Sequence, residues 1–99
     1  METNKEIYKE KVQAKYEQMN AQIDELLAKF NETKADAKLN VKNQFEDLTD
    51  RRETVEKKIE QIKDSGEEAW QDMRSGLDNA FDELEDSFKE AAKKLEISS

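Results

Sequence analysis

The sequence predicts an all-α protein built as an elongated antiparallel helical hairpin, or coiled coil. Three observations predict it: the 99 residues contain no Pro and only two Gly, 42% of them are charged, and the apolar residues recur in steps of three and four. Such steps place apolar side chains on one stripe of a helix. The composition is typical of coiled coils, and the regular stripe argues against a disordered chain. We expect one helical coiled-coil domain over residues 1–99.

The first predicted helix runs from about residue 4 to residue 63. Thr3 is followed by Glu6 three residues later, which is the pattern of a capping box at a helix start. The apolar stripe thins at residues 31–36 and again at residues 49–54, where Arg52 takes an apolar position. Neither segment contains Gly or Pro. The pattern therefore favours one continuous helix, about 90 Å long at 1.5 Å per residue.

The second predicted helix covers about residues 66–96 and follows a turn at residues 64–66. Ser65 and Glu68 have the spacing of a second capping box, and apolar residues then repeat every eleven positions, which keeps the stripe almost straight. Folding this helix back onto the first pairs Ile59 with Trp70 and Phe45 with Leu84. The side chains expected to pack the hairpin are Ile59, Trp70, Met73, Phe81, Leu84 and Phe88.

A two-helix hairpin leaves the first half of the long helix without a partner. Its apolar stripe would then be exposed, and monomeric proteins rarely leave so large an apolar patch uncovered. We therefore expect a homo-oligomer or a helical protein partner. The candidate interaction residues are Val12, Tyr16, Met19, Ile23, Leu26 and Phe30.

The alternative is a three-helix bundle, in which the chain folds back near residues 31–33. The segments 4–30, 34–63 and 66–96 have nearly equal lengths, and Thr33 with Asp36 has the spacing to cap the middle helix. This fold would cover the exposed stripe within one chain. Against it, the connecting sequence FNETKADAK contains good helix formers and no helix breaker.

No residue pattern indicates catalysis. The chain has no His and no Cys, which removes imidazole and thiol chemistry and the usual zinc ligands. Its carboxylate clusters lack the spacing of a calcium loop, and a narrow helical hairpin offers no desolvated pocket for acid–base work. We expect a protein that is not an enzyme, with no cofactor, no metal and no small-molecule substrate.

The net charge of −8 is concentrated in the last third of the chain. Residues 1–63 carry 13 Lys and Arg against 14 Asp and Glu, a net of −1, whereas residues 64–99 carry 4 against 11, a net of −7. An acidic surface repels phosphate backbones, so nucleic-acid binding is not expected. The sequence shows no signal-peptide core or spanning segment, and its second helix lacks the basic face of interfacial helices. We expect a cytoplasmic protein that does not bind membranes.

Two stretches resemble a group of small bacterial coiled-coil proteins, some labelled cyanobacterial stress-response proteins. They are KADAKLNVKNQFEDLTDRRE and SGEEAWQDMRSGLDNAFDELEDSFKEAAKKL. The group has an Ala/Lys/Asp-rich middle, a Gly-acid-Ala-Trp element, and a Gly, an Ala and an aromatic residue along a final helix. Phe81 stands where the group has Trp. The resemblance implies a stress-associated helical protein, with no catalytic residues.

Two functional hypotheses follow. The first is a non-enzymatic coiled-coil structural or interaction protein that self-associates and has a role in stress. The second is an amphipathic stress protectant or lipid-surface-binding protein, partly disordered alone and gaining helix on binding or drying; high charge and the eleven-residue repeat favour it.

Overall fold

The protein is an elongated bundle of three helices, as a computed structural model of residues 3–98 shows. Helix α1 spans Asn4–Glu32, α2 spans Ala35–Asp64 and α3 spans Ala69–Ser98. The bundle measures 52 × 20 × 17 Å. Met1, Glu2 and Ser99, which belong to the predicted domain, lie outside the described residues.

The all-α class is confirmed, and the two-helix hairpin is wrong. The predicted helix 4–63 is broken at Thr33 and Lys34, and the three-helix alternative fits the structure. Both residues have extended backbone angles. The break ends α1 with two hydrogen bonds, because Thr33 donates its backbone N–H to Phe30 O and its hydroxyl to Lys29 O.

Burial explains why the chain breaks where local propensity favours a helix. A break costs a few backbone hydrogen bonds, each worth about 0.5–1.5 kcal/mol net. Folding α1 back buries five of its apolar side chains, each worth about 1.5–3 kcal/mol. The second quantity is several times larger, so the bundle is favoured over the continuous helix. The five are Tyr8, Val12, Met19, Ile23 and Leu26.

The start of α1 agrees with the sequence, whereas the start of α3 differs. The Thr3 side chain accepts a hydrogen bond from Glu6 N at 3.2 Å. The reversal placed at residues 64–66 occupies residues 65–68 instead. Ser65 ends α2, since its backbone N–H and its hydroxyl both donate to Ile62 O, at 3.2 and 2.7 Å. The predicted capping box at Ser65 does not form, and α3 begins three residues later than expected.

The register of α3 along α2 differs from the sequence-based register by five residues, or about 7.5 Å at 1.5 Å per residue. The Ser87 hydroxyl meets Asp47, where the sequence-based register places Lys42. Arg51 likewise meets Glu83 in place of Asp78. Because each apolar stripe runs along its whole helix, the two stripes still face each other after this shift, so the core forms in either register.

The three helices share one core. Of the residues expected to pack the hairpin, Ile59, Trp70, Phe81 and Leu84 are buried and Phe88 is half-buried. Met73 is 37% exposed and lies outside this core, because Trp70 and Leu77 fill the first two turns of α3. Leu77 is fully buried, although the predicted register set it against Arg52, whose side chain turns to α1 instead.

Replacing Leu84 by Ala should lower the free energy of unfolding by about 2–5 kcal/mol, because Leu84 is fully buried and the surrounding side chains fill such a cavity only in part. Urea denaturation followed by circular dichroism measures the change. The matched control is Leu39→Ala, the same substitution at a side chain that is 72% exposed. It should change the free energy by no more than about 0.5 kcal/mol. Equal losses for the two variants would contradict this core.

Candidate interaction site

The stripe of α1 that the sequence assigns to a partner lies against the chain's own α2 and α3. Val12, Met19, Ile23 and Leu26 are buried, and Tyr16 and Phe30 are half-buried against the same core. The sequence-based argument for an exposed stripe depended on the unbroken helix. Since α1 folds back, this stripe needs no second molecule to cover it.

Polar contacts fix α1 on α2. The Arg52 guanidinium donates to Asn20 Oδ1 at 3.1 Å and to Asp24 Oδ1 at 2.9 Å. One turn further along α2, the Tyr16 hydroxyl donates to Glu56 at 3.2 Å. Arg52, which interrupts the apolar stripe in the sequence, therefore connects the two helices at mid-length.

An aromatic cluster closes the end of the bundle where α1 begins. The rings of Tyr8 and Trp70 lie 5.4 Å apart at 31°, and the Arg74 guanidinium lies 5.0 Å from the Tyr8 ring centre. The Tyr8 hydroxyl donates to Asp78 at 2.7 Å. Burial raises the pKa of Tyr8 well above its ordinary value, and the hydrogen bond to Asp78 raises it further. Lys5 reaches the carbonyl oxygen of Ser65 at the same end.

A second polar cluster joins α2 to α3. The buried Ser87 hydroxyl donates to Asp47 at 2.7 Å, and Arg51 links Asp47, at 3.0 Å, to Glu83, at 2.7 Å. The Ser87 hydrogen bond lowers the pKa of Asp47, and the Arg51 guanidinium adds to the effect. A carboxyl group with a lowered pKa stays ionised at neutral pH. The cluster therefore joins α2 to α3 through hydrogen bonds to an ionised carboxylate.

An open apolar groove of about 570 Å³ lies beside the α1–α2 connection. Phe30 and Phe45 stack at its base, with ring centres 4.3 Å apart. Leu39, which is 72% exposed, stands at its edge, and Lys38 lies 5.8 Å from the Phe30 ring centre. The apolar side chains that line the groove are Leu27, Phe30, Ala35, Leu39 and Phe45.

The groove is formed where the end of α1 meets the first turns of α2. Leu27 and Phe30 of α1 line it together with Ala35 and Leu39 of α2, and Phe30 stacks on Phe45. Sequence reasoning identified Phe30 but missed Leu39. The signal was present: Leu39 is a large apolar residue that falls outside the stripe of Ala37 and Val41.

Other kinds of site are not evident in the part of the chain that the structure describes. Among residues 3–98, no group of three or more His, Cys, Asp or Glu side chains is arranged to hold a metal ion. Within the same residues, no helix combines the length and the apolar character needed to cross a membrane.

Comparisons with known proteins identify no relatives. No protein-family model, no curated protein and no solved structure matches the chain.

The Tyr8 cluster predicts a distinct loss of stability at alkaline pH. The pKa of Tyr8 is raised in the folded state, so its contribution is complete below the unfolded value of 10.0 and is lost as the pH rises through the higher folded value. Tyr8→Phe should cost about 0.5–1.5 kcal/mol at pH 7 and less above pH 10, because the variant has no phenol to ionise. Urea denaturation of both proteins at several pH values measures the difference. A difference that grew above pH 10 would contradict this account.

Proposed function

We propose that this chain is a non-enzymatic helical interaction protein that self-associates through the groove beside the α1–α2 connection. The observation that carries the proposal is the open apolar floor of that groove, with Leu39 72% exposed at its edge. Exposed apolar surface of this kind is typical of protein interaction sites. The proposed partner is a second copy of the same chain.

The distribution of charge favours contact between two copies of the chain at this end of the bundle. Most of the molecule's negative charge lies in residues 64–99, so two copies repel each other along α3. Both signs of charge occur at the groove: Lys38, Lys42 and Glu46 line it, and Lys34 and Asp36 lie next to it in the sequence. Two copies that meet here in antiparallel orientation bring lysines of one chain near carboxylates of the other, and repulsion is smallest at this place.

Geometry also supports a symmetric dimer. On the first two turns of α2, Leu39 and the other apolar side chains of the groove leave an apolar surface uncovered. A two-fold axis places the same two turns of two molecules side by side, so each copy covers the apolar surface of the other. The exposed Ile97, near the end of α3, lies at the same end of the bundle.

Leu39→Glu should abolish self-association, because it places a charge in the apolar contact, while leaving the fold unchanged, because Leu39 is exposed. The control is Ile7→Glu, which adds the same charge at another exposed apolar residue, at the opposite end of the bundle. Sedimentation equilibrium over micromolar to millimolar concentrations measures both. A wild-type chain that stays monomeric throughout this range would refute the proposed function.

The protectant hypothesis has one feature in its favour, since α3 is the most amphipathic of the three helices. Its apolar residues Leu77, Phe81 and Leu84 are buried against α1 and α2, so lipid binding requires the bundle to open. Circular dichroism in dilute buffer distinguishes the hypotheses. We expect high helicity and a cooperative thermal transition that lipid vesicles do not change. Low helicity that rises with vesicles would favour the protectant. The role in stress that the resemblance implies stays a prediction.

A further inference from the structure

We infer that two copies of this chain associate by exchanging α1: the α1–α2 connection straightens into one continuous helix, and α1 of each chain packs on α2 and α3 of the other. The inference rests on the proposed self-association and specifies how it occurs. It begins from the shortness of the connection, since only Thr33 and Lys34 separate the two helices.

Nothing in the connection requires the chain to reverse. Thr33 and Lys34 have φ values of −76° and −63°, and no described residue other than Gly has a positive φ. The N-cap residue of α2 is Lys34, whose side chain makes no capping hydrogen bond. The surrounding residues Asn31–Lys38 include good helix formers and no Gly or Pro. In contrast, the α2–α3 loop has four residues, includes Gly66 and is closed by the Ser65 hydrogen bonds.

The polar contacts named above that hold α1 in place can form equally well between two chains. The Arg52 bonds to Asn20 and Asp24, and the Tyr8 bond to Asp78, join α1 to side chains on α2 or α3. An exchanged dimer therefore conserves the interactions of the monomer. What differs between the two states is the connection and the surface beside it.

Both differences favour exchange at high protein concentration. In a continuous helix, the residues at the break regain backbone hydrogen bonds of the α-helical pattern. In addition, α1 keeps its register on α2 in an exchanged dimer, so Phe30 of one chain stacks on Phe45 of the other. The two-fold axis then lies midway between these two positions, close to Ala37. The first turns of α2 from the two chains then lie antiparallel across this axis. The surface around Leu39, exposed in the monomer, gains a helical neighbour.

The backbone angles of Lys34 identify a substitution that is compatible with the monomer but not with the exchanged dimer. Its φ of −63° and ψ of 150° suit proline, and the preceding Thr33 has the extended backbone that proline favours in its neighbour. Lys34→Pro therefore fits the monomer, whereas it breaks a continuous helix at its centre. We expect the association constant of the dimer to fall by more than about a hundredfold.

Thr33→Ala should act in the opposite direction. Ala is a better helix former than Thr, and the exchanged dimer contains two connections, so the association constant should rise by about tenfold. The matched control is Thr54→Ala. The Thr54 hydroxyl donates to the carbonyl oxygen four residues earlier, as the Thr33 hydroxyl does, but Thr54 lies inside α2 in both states. This control should leave the association constant unchanged.

The deciding measurement is a distance within one chain. Spin labels at Glu10 and Glu60, both exposed, lie on neighbouring helices in the monomer but about 75 Å apart in the continuous helix. Doubly labelled chains are mixed with a large excess of unlabelled chains and refolded from denaturant at high concentration. Exchange predicts a dimer with the long distance, which is lost in Lys34→Pro.

Two results would overturn the inference, and they differ in what they imply for the proposed function. A wild-type chain that stays monomeric after refolding would refute both. A dimer in which the distance within one chain stays short, and which Lys34→Pro does not weaken, would refute the exchange of α1 while the proposed self-association stands. If Lys34→Pro does not fold, the labelled wild-type chain still decides between these results.

Discussion

The packing of α1 against α2 and α3 is the contact on which the rest of the structure depends. It decides that the chain breaks at Thr33 and Lys34, because the apolar side chains buried by the reversal contribute more free energy than the backbone hydrogen bonds lost at the break. It also determines what is exposed. Where the end of α1 meets the first turns of α2, Phe30 stacks on Phe45, and the open groove beside them leaves Leu39 exposed.

The two helix pairs in the bundle are built differently. Helices α2 and α3 form the most extensive contact of the bundle, and the buried Ser87 of α3 is bonded to Asp47 of α2. Helix α1 makes a smaller contact with this pair, and polar groups at Tyr8 and Arg52 fix its position. Polar contacts of this kind specify where α1 sits without requiring that it belong to the same chain. The α2–α3 pair, joined by its own loop, is the constant part of either arrangement.

The exposed apolar groove lies where the charges are mixed, and the strongly acidic surface lies elsewhere, along α3. For the proposed dimer, the acidic residues of α3 would repel a second copy over most of the surface, whereas the mixed charges around the connection would repel it least. The candidate site could be predicted only in part. Phe30 was identified because it belongs to the stripe, but the groove also needs Leu39, whose exposure depends on how α1 packs on α2. That packing involves both helices, so the pattern of either helix alone does not predict it.

The sequence by itself determined the helical class, the start of α1 at Thr3, most of the apolar positions that form the core and the acidic character of α3. These depend on periodicity, capping and composition, which act between residues close together in the chain. The tertiary structure alone decided the break at Thr33, the register of α3 on α2 and the exposure of Leu39. Each of these depends on contacts between residues that are thirty or more positions apart in the sequence. The free energy of burial in those contacts competes with small local preferences of the backbone. The local preference at residues 31–38 favours a helix, and burial of the α1 stripe outweighs it.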